Sequence, residues 1–217
     1  MKRVFIPFLA MVISLGLVLP LVTPAAPGDH YKGQIKGMGA EAWWSLYDEV
    51  SGVYTDILVY TSDKVYKNPL DSPEARAYGE IDIWQYRYVD DEYVPIRDVY
   101  FWGDVPAGSI VVDRTLSSAS LILSGVEGEI YDHATESSTP VLLDIDLRWS
   151  AIAPITLDSY RSHNRYPDGF AYYFSRGKSR EAETFGVVSF EDTSIPLEFA
   201  QRATILSSRT GTVEVYR

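Results

Sequence analysis

The side chains that could do chemistry are few, and their spacing narrows what that chemistry is. The histidines are His30, His133 and His163. His30 falls in a short segment after an apolar start, and His133 lies in the turn Asp132-His133-Ala134-Thr135. His163 sits in the polar stretch Arg161-Ser162-His163-Asn164-Arg165, read as a surface loop. Neither His-Glu-x-x-His nor His-x-His occurs, which argues against a zinc hydrolase. There is no cysteine, so thiol nucleophiles, thiolate metal sites and disulfides are excluded. A serine–histidine–aspartate triad meets only in space, but Gly-x-Ser-x-Gly is missing and the serines fall mostly in turns and on polar strand faces. No catalytic residue is assigned. Glycine-rich phosphate loops are missing too, along with the strand–helix–strand pattern that would hold one.

Two carboxylate pairs have the spacing that glycoside hydrolysis could use. Asp144 and Asp146 alternate on one strand, as do Glu80 and Asp82, which sets each pair roughly 7 Å apart on a common face. A solvated sheet face is the simpler explanation of such pairs in a chain with 30 acidic residues. No cofactor is implied. Calcium takes carboxylate and carbonyl oxygens, and Asp90-Asp91-Glu92 and Asp48-Glu49 are the acidic turns where it would be sought. Each supplies too few ligands, and neither follows the EF-hand spacing.

Charge is unevenly spread. Between Arg161 and Arg180 lie five basic residues, Arg161, Arg165, Arg176, Lys178 and Arg180, against the single acid Asp168. These read as two basic loops bracketing a strand over 170–175, with arginines suited to anionic groups such as uronate, sulfate or phosphate. Pairing with the chain's own acids is the alternative. Aromatic residues are the other resource, with 16 tyrosines and 5 tryptophans. In 80–89, Ile81, Ile83 and Val89 share one side, while Trp84, Tyr86 and Tyr88 line the other. If the isoleucine side is the core, the aromatic row is a planar, half-polar platform of the kind on which sugar rings stack.

The elements that must position these residues alternate with period two, the signature of half-buried strands. Ala40, Ala42, Trp44 and Leu46 oppose Glu41, Trp43, Ser45 and Tyr47. After the turn Asp48–Gly52, Val53, Thr55, Ile57 and Val59 oppose Tyr54, Asp56, Leu58 and Tyr60, which predicts a hairpin. Residues 80–89 and 93–102 flank the turn at 90–92. Val141, Leu143, Ile145, Leu147 and Trp149 oppose Asp144, Asp146 and Arg148. Further runs cover 109–113, 119–123, 128–131, 170–175, 183–190, 203–207 and 212–216. Only 72–76 and 196–202 could hold a helical turn. Ten to twelve short antiparallel strands predict an all-β fold, a two-sheet sandwich or jelly roll, with a closed barrel as the alternative.

The chain opens Met1-Lys2-Arg3, runs apolar over 4–22 and ends in Thr23-Pro24-Ala25-Ala26, the layout of a secretory signal cleaved after Ala25. Retention as a membrane anchor is the alternative, since 19 apolar residues approach the roughly 20 that span a bilayer. The expected organisation is therefore a signal segment (1–25), a linker (26–39) and one β domain (40–217), placed outside the cytoplasm. Without Lys2 and Arg3, 17 basic residues face 30 acidic ones, a balance of −13, which opposes nucleic-acid binding.

These observations point first to an exported binding or adhesion module for extracellular glycans, with Trp84, Tyr86, Tyr88 and the five basic residues as ligand contacts. A structural envelope protein acting through contacts with another surface protein is the second expectation. A secreted carbohydrate-active enzyme using paired carboxylates is the third.

Overall fold

A computed structural model describes residues 30–67, 74–167 and 169–216. The expected leader over 1–25, its cleavage site and residues 68–73 lie outside them. Eleven strands form: β1 (His30–Asp48), β2 (Val53–Lys67), β3 (Glu74–Val89), β4 (Glu92–Asp104), β5 (Ile110–Val112), β6 (Ser118–Asp132), β7 (Ser137–Ala151), β8 (Thr156–Tyr166), β9 (Gly169–Phe190), β10 (Thr193–Leu197) and β11 (Arg202–Tyr216). No helix occurs among the described residues. Residues 74–76 belong to β3, and Pro196 and Leu197 close β10, so neither expected helical turn forms there. The first strand begins at His30, inside the span read as a linker. Gly33, Gly37 and Gly39 blur the alternation there, yet the backbone still pairs on both sides.

Every pairing is antiparallel, and all strands belong to one sheet. Followed through hydrogen-bonded partners, the order runs β1, β2, β3, β4, β6, β7, β9, β11 and back to β1. The β4–β6 seam is short, covering 97–100 against 129–132. The turns are chemically defined. The Asp48 carboxylate accepts hydrogen bonds from the Val50 amide (3.0 Å) and the Ser51 hydroxyl (2.6 Å), closing the β1–β2 hairpin. Asp90 and Asp91 both take positive φ (53° and 67°), the turn whose twist matches that of the flanking strands.

The inward-facing residues are those the alternation singles out. Ala40, Ala42 and Trp44 of β1 are buried together with Ile57, Val59, Ile81, Ile83 and Val99. The odd positions of β7, from Val141 to Trp149, close the opposite wall. The Trp149 indole donates to the Glu41 carbonyl at 3.0 Å, tying β7 across the interior to β1.

Strand β9 joins the two expected strands 170–175 and 183–190 into one of 22 residues, and this matters for everything at one end of the molecule. Residues 182–190 pair with β7 and belong to the core wall. Residues 169–179 instead pair with β8, on the opposite edge from β11. With the far ends of β11, β1 and β2, they carry the sheet past the core as an extension whose edge is β8, almost wholly exposed.

Candidate ligand-binding surfaces

The isoleucine side of β3 is the core side: Ile81 and Ile83 are fully buried. The even-numbered row therefore lies on the outer face, with Trp84 and Tyr86 half-buried and Tyr88 exposed. Arg87 and Val89 are exposed as well. Val89 is exposed because it stands at the hairpin end, opposite Glu92 and beyond the core.

Register then adds what one strand cannot show. Tyr47 is opposite Tyr54 across β1–β2, and Tyr54 is opposite Tyr86 across β2–β3. A bulge between Gln85 and Tyr86 brings Tyr93 opposite Tyr88. The five rings touch: Tyr47 and Tyr54 are 4.6 Å apart between centres, Tyr54 and Tyr86 stack at 5.4 Å with 8° between planes, and Tyr86 lies 4.9 Å from Tyr93. Tyr88 packs edge-on against Tyr54 at 5.6 Å and Tyr86 at 5.9 Å. Tyr47, Tyr88 and Tyr93 keep over half of their surface open (54%, 55% and 54%). A continuous aromatic floor with hydroxyl edges results, bending with the local twist of the bulge.

Carboxylates border this floor. The Tyr86 hydroxyl donates to Asp56 Oδ2 at 3.2 Å. The other oxygen, Oδ1, is buried and accepts no hydrogen bond, a costly arrangement for a carboxylate. Burial, then the neighbouring Asp56 charge, pushes the Tyr86 hydroxyl above the usual phenol range. Asp82 lies between Leu58 and Tyr100 in the register. Burial, with the Glu80 and Asp98 charges beside it, raises its carboxyl from 3.8 to about 6. Asp98 in turn meets His133 Nε2 at 3.0 Å, so His133 joins the border of the aromatic face. The combination can stack a planar, half-polar ligand and accept hydrogen bonds from its hydroxyls.

In the second carboxylate pair, Asp144 serves the fold and Asp146 faces a cation. Asp144 Oδ1 accepts from the Ser124 hydroxyl (2.8 Å) and the Gly125 amide (2.9 Å). These donors clamp the β6 bulge and hold the Asp144 carboxyl below its ordinary value. Asp146 faces Arg148 at 3.4 Å. Among the described residues no group of three or more histidines and carboxylates is placed to hold a metal ion.

The five basic residues are not in loops at opposite ends of a strand. Arg161 and Arg165 lie on β8, and Arg176, Lys178 and Arg180 on β9, of one hairpin. Arg161 pairs with Phe174 and Arg165 with Phe170, so odd positions of β8 share a face with even positions of β9. All five project from that face, together with His163. Serines, glycine and short side chains between the arginines hid the strand from a hydropathy reading. Arg180 is committed to the fold, donating from Nε to the Ala153 carbonyl at 2.9 Å. The other four are exposed.

Residues missed in the sequence are Tyr47, Tyr54 and Tyr93 at the aromatic floor, and Lys36 and Arg209 at the basic face. The tyrosines were legible as outward positions within their strands; only pairing unites them. An open groove of about 420 Å³ lies elsewhere, lined by Asp63, Arg76, Asp104 and Val105 among others. No protein-family model and no curated protein matches the sequence. The fold and surface define an all-β protein with an acidic aromatic face and a separate basic one.

Proposed function

We propose that this chain is an extracellular binding module that takes glycans on the tyrosine floor of its outer face. The observation that carries the reading is the mutual contact of Tyr47, Tyr54, Tyr86, Tyr88 and Tyr93, three of them more than half open. Large amphipathic rings that leave a face or edge exposed suit partners that are apolar on one side and hydroxylated on the other. The surrounding Asp56, Asp82 and Asp98 favour ligands that donate hydrogen bonds and disfavour anions, which selects neutral sugars. The outward row Trp84, Tyr86 and Tyr88 on β3 supports the reading, with Tyr86 and Tyr88 in ring contact with the floor.

The test is a glycan array followed by calorimetry on the best neutral glycan. Tyr54→Ala and Tyr88→Ala are expected to weaken binding by about tenfold each, the scale of an aromatic contact residue. Binding that survives both substitutions unchanged removes the proposal.

A second reading, association with another protein, is favoured by one feature: β8 is an edge strand with an exposed row of backbone groups. Its Asp158, Arg161 and Arg165 blunt that edge against indiscriminate pairing.

A further inference from the structure

We infer that the sheet extension carries a second binding surface, distinct from the tyrosine floor and of opposite charge, whose ligand is an anionic polysaccharide bearing sulfate or uronate groups. The face concerned continues the core side of the sheet past the core itself. Arg161 and Arg165 of β8 and Arg176 and Lys178 of β9 stand on it. The register adds two cations remote in sequence: Arg209 of β11 is directly opposite Arg176, and Lys36 of β1 is directly opposite Arg209.

Three exposed cations in directly paired positions on adjacent strands repel one another, which is destabilising. The chain has 30 acidic residues with which to relieve that repulsion. Among the described positions of this face, only Asp63 is acidic, and it pairs across to Met38. Arg209 is held instead by a neutral group, donating from Nε and a terminal nitrogen to the Gln34 amide oxygen, turned toward it, at 2.9 and 2.8 Å. An acidic protein has thus gathered uncompensated cations on one surface.

Spacing selects a polymer over a single ion. The line Arg176, Arg209, Lys36 steps across strands at about 4.8 Å, and same-face residues along each strand follow at roughly 6.5–7 Å. One sulfate or carboxylate meets one or two of these groups; a repeating anion meets them all. Between the cations lies an aromatic floor. The Phe174 ring lies over Gly211, where an added Cβ would stand 2.4 Å from it, and the Arg209 guanidinium is 6.0 Å from the ring centre. Tyr172 adjoins Phe174 at 6.2 Å. Sugar rings stack on such surfaces while their charged substituents reach the arginines. A stiff nucleic-acid duplex would overhang the patch onto the acidic remainder of a chain with net charge −11, whereas a flexible polysaccharide can follow the patch alone.

The experiment uses the full chain at pH 7 and low salt on immobilised heparin, polygalacturonate and neutral dextran. At −11 the protein as a whole is repelled by a polyanion, so retention reports the patch. Retention on heparin or polygalacturonate but not dextran is expected, with release as salt screens the contacts. The variant Lys36→Ser/Arg176→Ser/Arg209→Ser is expected to lose at least about tenfold in affinity, the scale of several charge-assisted contacts, with an unchanged or higher melting temperature because repulsion is relieved. Should it fail to fold, Arg161→Ser/Arg165→Ser on the exposed edge strand provides the same readout. Tyr54→Ala leaves this retention unchanged, so the two surfaces fail or stand separately. The inference is overturned by a folded wild-type chain that neither polyanion retains, by equal retention of the variants, or by tighter binding to duplex DNA than to the polysaccharides. A wild-type dimer in sedimentation that the triple substitution abolishes also overturns it, since a second copy would then be the occupant.

Discussion

Asp82→Asn should make the protein more stable at neutral pH and leave it almost unchanged in acid. Asp82 sits half-buried on the outer face between Leu58 and Tyr100. Desolvation, then the charges of Glu80 and Asp98, lifts its carboxyl from 3.8 to about 6. The folded chain therefore holds a proton that the unfolded chain releases between these values, and stability falls as pH rises through that window. Above about pH 7 the whole penalty of a charged carboxylate is present. A difference of about two pH units corresponds to about 3 kcal/mol. Solvent screening around a half-buried group reduces this to about 1–2 kcal/mol. For a chain of this size about 2–4 °C accompanies each kcal/mol, so Asp82→Asn should melt about 3–6 °C higher at pH 8. At pH 4 wild type is already mostly protonated there, and the two curves should nearly coincide. Melting followed by circular dichroism at both pH values decides it. Equal melting temperatures at pH 8, or an equal gain at pH 4, would refute the account of a charge held at a cost. If the carboxylate accepts a ligand hydroxyl, the same substitution should weaken glycan binding while it stabilises the fold.

Two further substitutions test the packing that presents the surfaces. Trp84→Ala, on the outer face, should cost about 1–2 kcal/mol for a half-buried ring, whereas Trp149→Ala should cost about 3–5 kcal/mol; urea unfolding of the pair measures the gap, and equal losses would place Trp84 in the core. Gly186 has φ of 154°, and an added Cβ would stand 1.9 Å from the Asp146 carbonyl oxygen, so Gly186→Ala should lower stability by about 2–3 kcal/mol. A melting temperature within 2 °C of wild type (a loss below about 0.5–1 kcal/mol) would show that β7 and β9 part there without strain.

What the sequence determined by itself is local. The strand class follows from alternation, because inward Ala40, Ala42 and Trp44, or Leu143, Ile145 and Leu147, are separated by outward residues that need no burial. The turns at 48–52 and 90–91 were legible because glycine and aspartate tolerate the positive φ that tight hairpins require. The outward side of Trp84, Tyr86 and Tyr88 was one of two readings, decided only when Ile81 and Ile83 were found to pack inside. Residues 161–165 and 176–180 read as loops because apolar alternation marks burial, and the extension has no core to face. Backbone hydrogen bonding, of β8 to β9 and of β9 to β11, keeps those segments extended without it. Both candidate surfaces are products of pairing: Tyr47, Tyr54, Tyr86 and Tyr93 come from four strands, and Lys36, Arg176 and Arg209 from three. Side-chain period states which way a residue points within its strand, while its lateral neighbours depend on strand order and register. Those are set by how the whole sheet packs on its core, a global balance that no single segment contains.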